Sequence, residues 1–178
     1  MRAAEIVRRA RDFLRQGDSK REPSDVNALV HEAASLIESD ARRKVIPIRL
    51  ALAPDMPLVD IDRIQVEQVI LNLLRNGIEA MAVGRDHNEL VVQTFLRPGE
   101  AVEVTVRDTG IGVPSSIVER IFDPFFTTKS GGLGMGLSIS RSIIEAHGGR
   151  LWAVGNPERG MTFGFRLPLR DQGESLVA

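Results

Sequence analysis

Residues 108–140 read "DTGIGVPSSIVERIFDPFFTTKSGGLGMGLSIS". An acid, two clusters of glycines, a phenylalanine pair and a lysine lead into the start of a helical pattern. Glycines directly before a helix let backbone N–H groups close on an anion, and the helix dipole adds to the attraction. Two familiar phosphate-binding patterns do not fit. A P-loop requires G-x-x-x-x-G-K-[ST], and Lys129 has no such setting. A dinucleotide fingerprint requires G-x-G-x-x-G straight after an early strand, whereas Gly132, Gly134 and Gly136 are spaced G-x-G-x-G behind a polar loop. A plain flexible loop reads equally well from this stretch alone, and the flanking chain decides between the two.

Outward from Asp108, "AVEVTVRD" (101–108) and "ELVVQTFLR" (89–97) are strands joined by "PGE", a hairpin pattern. Downstream, a helix is expected from about Leu133 to His147, and "GGRLWAVGNPERGMTFGFRLPL" (148–169) gives two strands and a turn. Upstream, Asp62 can cap a helix, "RIQVEQVILNLLRNGIEAMAVG" (63–84). Its stripe of Ile64, Val66, Val69, Ile70, Leu73, Leu74, Ile78 and Met81 has helical spacing. Gly77 inside it costs up to about 1 kcal/mol relative to Ala, so either something approaches closely or the cost is tolerated. "VIPIRLALAP" (45–54) is a strand that Pro47 places at an edge or a start. Asp25 can cap a helix bearing Val26, Leu29, Val30, Ala33, Leu36 and Ile37. "GDSKREPSD" (17–25) reads as a linker, and residues 2–16 as an amphipathic helix with an unpartnered stripe of Ile6, Ala10, Phe13 and Leu14. The order α, α, β, α, β, β, loop, α, β, β predicts an α/β two-layer sandwich. Its sheet is mixed and mostly antiparallel with helices on one face, not doubly wound.

The 178 residues are 43% apolar and 26% charged with a formal net charge of −1. That balance is globular and offers no bulk field for nucleic acid or an anionic membrane. The chain has no cysteine, which excludes disulfides, thiolate metal sites and a cysteine nucleophile. No apolar run approaches the roughly 18 residues of a membrane span, and the N-terminus lacks a signal-peptide core. A cytoplasmic chain without membrane contact is the expectation.

Three elements carry candidate chemistry. Asn72 and Asn76 are four apart and share a helical face, where paired amides can hold a hydrated Mg²⁺ or simply sit satisfied at the surface. Asp108 ends a strand before Gly110 and Gly112; its carboxylate can accept from an exocyclic amine beside a flat ring, or merely start a turn. The glycine loop before the last helix is the third. Within it, Ser116 and Glu119 form a capping-box pattern that predicts a short helix. Phe122, Phe125 and Phe126 are too apolar for a freely solvated loop and are expected to pin it to the body, or to a helical domain in one state.

Taken together and in this order, these stretches resemble the catalytic and ATP-binding domain of sensor histidine kinases, within the gyrase, Hsp90, histidine kinase and MutL ATPase group. "QVILNLLRNGIEAM" is similar to the N box, "DTGIGVP" to the G1 box, "IFDPFFTTK" to the F box and "GGLGMGLSISRSIIEAHGG" to the G2 box. The late "GMTFGFRLP" is similar to the closing strand pair, and the wording resembles PAS-linked kinases of the oxygen-sensor type. The resemblance implies a Bergerat-type ATP-binding fold with a mobile lid at about 113–135. It implies that Asn76 ligates Mg²⁺ on the ATP phosphates with Asn72 beside it, and that Arg75 reaches the phosphates. It implies that Asp108 accepts from the adenine amine, that Gly110 and Gly112 shape that pocket, and that Thr162 helps through its hydroxyl or a water. Thr127, Thr128 and Lys129 are expected to face phosphates when the lid closes. Gly132, Gly134 and Gly136 are expected to wrap the triphosphate, with Leu137 as core or pocket wall. Gly77 stands where the family more often has Ala.

The hydrolytic members of the group carry a Glu four residues before the metal-binding Asn. Here that position is Asn72, and an amide is not a general base at neutral pH. The resemblance therefore implies phosphoryl transfer to a histidine rather than hydrolysis. His31, His87 and His147 do not match an acceptor motif; His147, ending a helix, suits a partial positive charge. The expected organisation is the end of a second dimerisation helix plus linker (1–24), the catalytic domain (25–170) and a flexible tail (171–178). The expected partners are a separate dimerisation and histidine phosphotransfer domain and a response-regulator receiver domain. A serine kinase of the anti-sigma type and a non-catalytic binding module share the fold and are the alternatives.

Overall fold

A computed structural model describes residues 20–81, 87–129 and 132–169. The expected helix at 2–16 and the tail at 171–178 lie outside the described residues. Along the chain run β1 (Glu22–Ser24), α1 (Val26–Arg43), β2 (Ile48–Ala51), β3 (Val59–Ile61), α2 (Arg63–Met81), β4 (Leu90–Arg97) and β5 (Ala101–Asp108). Then come α3 (Gly136–Ala146), β6 (Arg150–Gly155) and β7 (Met161–Pro168). Five strands form one sheet in the order β2-β4-β5-β7-β6. Only β2 runs parallel to its neighbour; the other three pairings are antiparallel. This is the expected two-layer sandwich.

Strand alternation sorts the side chains. Leu90, Val92, Val102, Val104, Val106, Phe163, Phe165, Leu167 and Leu151 are buried toward the helices. The stripes of α1 and α2 meet them, with Leu29, Val30, Val69, Ile70, Leu73 and Leu74 fully buried. On the other face Glu103 sits between Arg97 and Arg166, at 3.2 and 2.8 Å. Although burial alone would raise it, those two guanidinium groups hold the Glu103 carboxyl below its ordinary value. Asp108 pairs with Leu90 across the β4–β5 ladder, so its side chain faces the helices as Leu90 does.

Four expectations change. The segment read as a linker contains β1, which pairs antiparallel with β3 in a separate two-stranded sheet. Each strand is three residues long, too short to show a period, and Pro23 is tolerated because an edge strand has no need of its missing N–H. Asp25 still caps α1, its carboxylate accepting from Asn27 N–H at 2.8 Å. The capping box at Ser116 does not form. Ile117 and Val118 N–H bond back three residues to Pro114 and Ser115, so the chain makes 3₁₀ turns at Ser115–Ile117 and Arg120–Phe122. Ser116 then falls inside a turn rather than at its cap. Helix α3 begins at Gly136, not at Leu133. Finally, His147 is buried and neutral. Its Nε2 accepts from Asp62 N–H at 3.0 Å while Nδ1 lies 2.7 Å from the Ile143 carbonyl, so the ring's one proton sits on Nδ1.

Candidate functional site

Helix α2 is apolar toward the sheet and polar along one edge. Asn72, Asn76 and Glu79 recur on that edge at spacings of four and three, so they share a face. The edge forms one wall of a cavity of about 700 Å³. Helix α3 forms the opposite wall, Asp108, Met161 and Phe163 close one end, and residues from 112–129 and 132–135 cover it. The size suits a small organic ligand such as a nucleotide.

Asp108 closes the deep end and is 1% exposed. Its Oδ1 accepts from Gly110 N–H at 2.8 Å and Met161 N–H at 3.3 Å. Among the described residues nothing donates to Oδ2. Burial pushes the Asp108 carboxyl above its ordinary value, and the two N–H groups and the Lys129 charge only partly offset this. A buried acceptor with an uncommitted oxygen is suited to a ligand N–H. Gly77 lies directly behind it. A Cβ there would sit 2.5 Å from Leu90 Cδ1 and 3.4 Å from Asp108 Cβ, so close approach is why a glycine interrupts this helix.

At the open end Asn76 Oδ1 accepts from the Lys129 ammonium at 2.9 Å, and Glu79 pairs with the same ammonium. Asn72 donates to Ser140 Oγ at 3.0 Å and ties α2 to α3. Arg75 is exposed on the cavity rim. Gly136, the first residue of α3, lies against the Asn72 amide.

The covering segment is anchored by two of its three phenylalanines. Phe122 is buried with the Arg141 guanidinium 4.1 Å from its ring centre. Phe126 lines the cavity with Arg120 4.9 Å from its own. Phe125 does not anchor it to the body: it is 73% exposed with φ +66°. Gly134 also has positive φ, and a Cβ there would come within 2.5 Å of the Phe125 and Phe126 backbone. Only glycine lets the two strands of the lid pass. Thr127, Thr128, Lys129, Gly132 and Gly134 all line the cavity. The Thr127 hydroxyl accepts from Lys129 N–H at 3.1 Å, which folds that turn.

Gly112 and Leu137 also line the cavity, while Gly110 lies in a small recess beside it. Thr162 does not line it. In β7 the inward positions are Met161 and Phe163, so alternation turns Thr162 to the other face. There its hydroxyl donates to Asn156 Oδ1 at 2.6 Å, and Asn156 donates to the Asp108 carbonyl at 2.9 Å. Thr162 thus supports Asp108 from behind, through Asn156. Met161, Glu79, Ser140 and Asn156 were not among the sequence candidates. Glu79 was findable, three residues beyond Asn76 on the same face; Asn156 was hidden in an ordinary turn.

The family model for the histidine kinase-, DNA gyrase B- and HSP90-like ATPases matches residues 61–171, and the chain belongs to that family. The chain is 45% identical over 172 residues to the sensor protein FixL of Bradyrhizobium diazoefficiens, covering 97% of this chain and 34% of FixL. It therefore spans about a third of that relative's length. The catalytic domain of the histidine kinase ThkA superposes with a TM-score of 0.75 at 35% identity, over 84% of this chain and 95% of that one. ThkA in complex with the response regulator TrrA matches 95% of this chain and 48% of that one, with a TM-score of 0.79 at 30% identity. Among the described residues no helix is long and apolar enough to cross a membrane.

Proposed function

We propose that this domain binds Mg·ATP and serves as the catalytic half of a cytoplasmic two-component sensor kinase. The γ-phosphoryl group passes to a histidine on a separate helical dimerisation domain, and from there to a response regulator. The observation that carries the reading is one cavity with a buried acceptor, Asp108, at its deep end and a cation-holding oxygen, Asn76, at its mouth.

Each end has a role. Asp108 accepts from the adenine amine while Met161 and Phe163 pack beside the ring. Asn76 is the protein's ligand to the metal. The fit is supported by its present partner: its Oδ1 already holds an ammonium, and hard divalent ions favour the same oxygen donors. Among the described residues no three His, Cys, Asp or Glu side chains group as a metal cage; a metal held by Asn76 would take further oxygen donors from the nucleotide and water. The metal supplies neutralisation of phosphate charge, and transfer then depends on positioning. Asn72 is no base for water, and its amide is engaged with Ser140, which favours transfer over hydrolysis.

The test is a calorimetric titration with a non-hydrolysable ATP analogue, with and without Mg²⁺. Metal-enhanced binding that Asn76→Ala selectively weakens supports the reading. No binding at millimolar analogue, or equal losses in both buffers, overturns it. Incubation with ATP and a purified dimerisation domain then has to give an acid-labile phosphoprotein; an acid-stable product would point to a serine kinase.

A further inference from the structure

One ammonium group is shared by side chains of two separate elements. Lys129, on the lid, donates to Asn76 Oδ1 at 2.9 Å and pairs with the Glu79 carboxylate, both on α2. We propose that Glu79 is a further cation-positioning residue of the nucleotide site, and that the Lys129 ammonium holds the metal's place at Asn76 until the metal–nucleotide complex displaces it. This inference rests on the Mg·ATP reading above.

Asn76 and Glu79 stand three apart on one helical face, and both present oxygen to the same point. An amide oxygen and a carboxylate are donors that a hard divalent ion takes, with waters filling the rest of its shell. A lysine ammonium is a compact, strongly hydrated charge that takes the same donors. The two cations therefore compete for one position. The charge of Lys129 also reaches Asp108, where it favours the ionised carboxylate, so its field acts inside the cavity.

The lysine is held loosely enough to leave. The Lys129 and Glu79 side chains are 43% and 50% exposed, and ion pairs so exposed are weak. Glu79 attracts a divalent ion more strongly than an ammonium at the same distance. Once displaced, the lysine is available to phosphate oxygens, the anions that arrive with the metal. Before displacement it can itself serve as counter-ion to a metal-free nucleotide.

A simple lid latch behaves differently. A latch favours the covered cavity whichever form of nucleotide is bound, so its loss changes affinity with and without metal by the same factor. An exchange pair changes the ratio of the two.

The experiment is titration of the full chain with a non-hydrolysable ATP analogue in Mg²⁺ and in EDTA. It reads the ratio of the metal-free to the metal-bound dissociation constant. Lys129→Met is expected to raise the ratio about three- to fivefold, the worth of an exposed ion pair, because the metal-free complex loses its counter-ion whereas the metal complex is also relieved of its competitor at Asn76 and Glu79. Lys129→Arg, which keeps the charge, is expected to stay near the wild-type ratio. Glu79→Gln is expected to lower the ratio by a similar factor. An unchanged ratio in both Lys129→Met and Glu79→Gln, with wild-type binding intact, overturns this inference alone. Failure of the wild type to bind in either buffer overturns the nucleotide reading and this inference with it.

Discussion

Replacing Asp108 with Asn exchanges one oxygen for an NH₂ group and separates two roles that the carboxylate combines. The structural role belongs to Oδ1, which accepts from Gly110 and Met161 N–H at 2.8 and 3.3 Å. An asparagine keeps that oxygen. It also removes a charge from a site that is 1% exposed, where burial has raised the carboxyl above its ordinary value. The fold is therefore expected to hold, with a melting temperature equal to wild type or a few degrees higher. The proposed binding role belongs to Oδ2. There the variant sets a donor against the adenine amine, and a hydrogen bond to a charged acceptor is lost. That is worth about 1.5–3 kcal/mol, or roughly a 10- to 150-fold loss of nucleotide affinity. Thermal melts and calorimetry on the same sample check both halves. Affinity within about threefold of wild type would refute the adenine contact. A melting temperature lower by more than about 5 °C would show that Asp108 acts chiefly on the fold.

The pH dependence of that comparison has a definite sign. A carboxyl raised in the folded state binds its proton more tightly there than in the unfolded chain. Its contribution is complete below the unfolded value and is lost as pH rises through the raised folded value. Wild type should therefore gain stability relative to Asp108→Asn as pH falls from neutral into the carboxyl range. Nucleotide affinity of wild type should fall over the same window, because a protonated Asp108 is a poorer acceptor.

Gly134→Ala combines positive φ with a Cβ 2.5 Å from lid backbone, so nucleotide affinity should drop at least about tenfold. Its melting temperature should stay close to wild type, because Gly134 itself lies against the Phe125 and Phe126 backbone and not in the core cluster; a large drop would place Gly134 in the folding unit. His147→Phe removes the acceptor for the part-buried Asp62 N–H, while the Ile143 carbonyl keeps the backbone N–H of residue 147 at 3.2 Å. Urea unfolding should show a loss of about 1–3 kcal/mol, and a loss under about 0.5 kcal/mol would mean water replaces the ring. Gly77→Ala gains up to about 1 kcal/mol of helix propensity but drives a Cβ to 2.5 Å from Leu90 Cδ1, an overpacking cost of about 1–3 kcal/mol. A net loss in urea that shrinks when paired with Leu90→Val would confirm the contact; additive effects would deny it.

The long elements were legible because their periods are long enough to read. Helix α2 repeats its apolar stripe over 19 residues, and β4 and β5 flank a glycine-bearing turn. The β1–β3 pair was not legible: three residues carry no period, and the segment holding β1 has the proline and charges of a loop. Asp108 and Asn76 stood out from their glycine and asparagine surroundings. The Lys129–Glu79 pair could not stand out, since its members lie 50 residues apart in the chain and meet only when the lid folds over α2. Thr162 was misplaced through parity. Met161 and Phe163 face the cavity, and strand alternation turns Thr162 between them to the other face.

Helix α3 is fastened at both ends to different parts of the molecule. Its first residue lies against Asn72, which lines the cavity. Its far end accepts from the Arg21 guanidinium at the Ala146 carbonyl, and His147 just beyond it takes the Asp62 N–H that follows β3. Eleven helical residues make a stiff rod about 16 Å long. One short helix thus spans from the chain just ahead of β1 to the mouth of the cavity, as a tie-beam joins two walls.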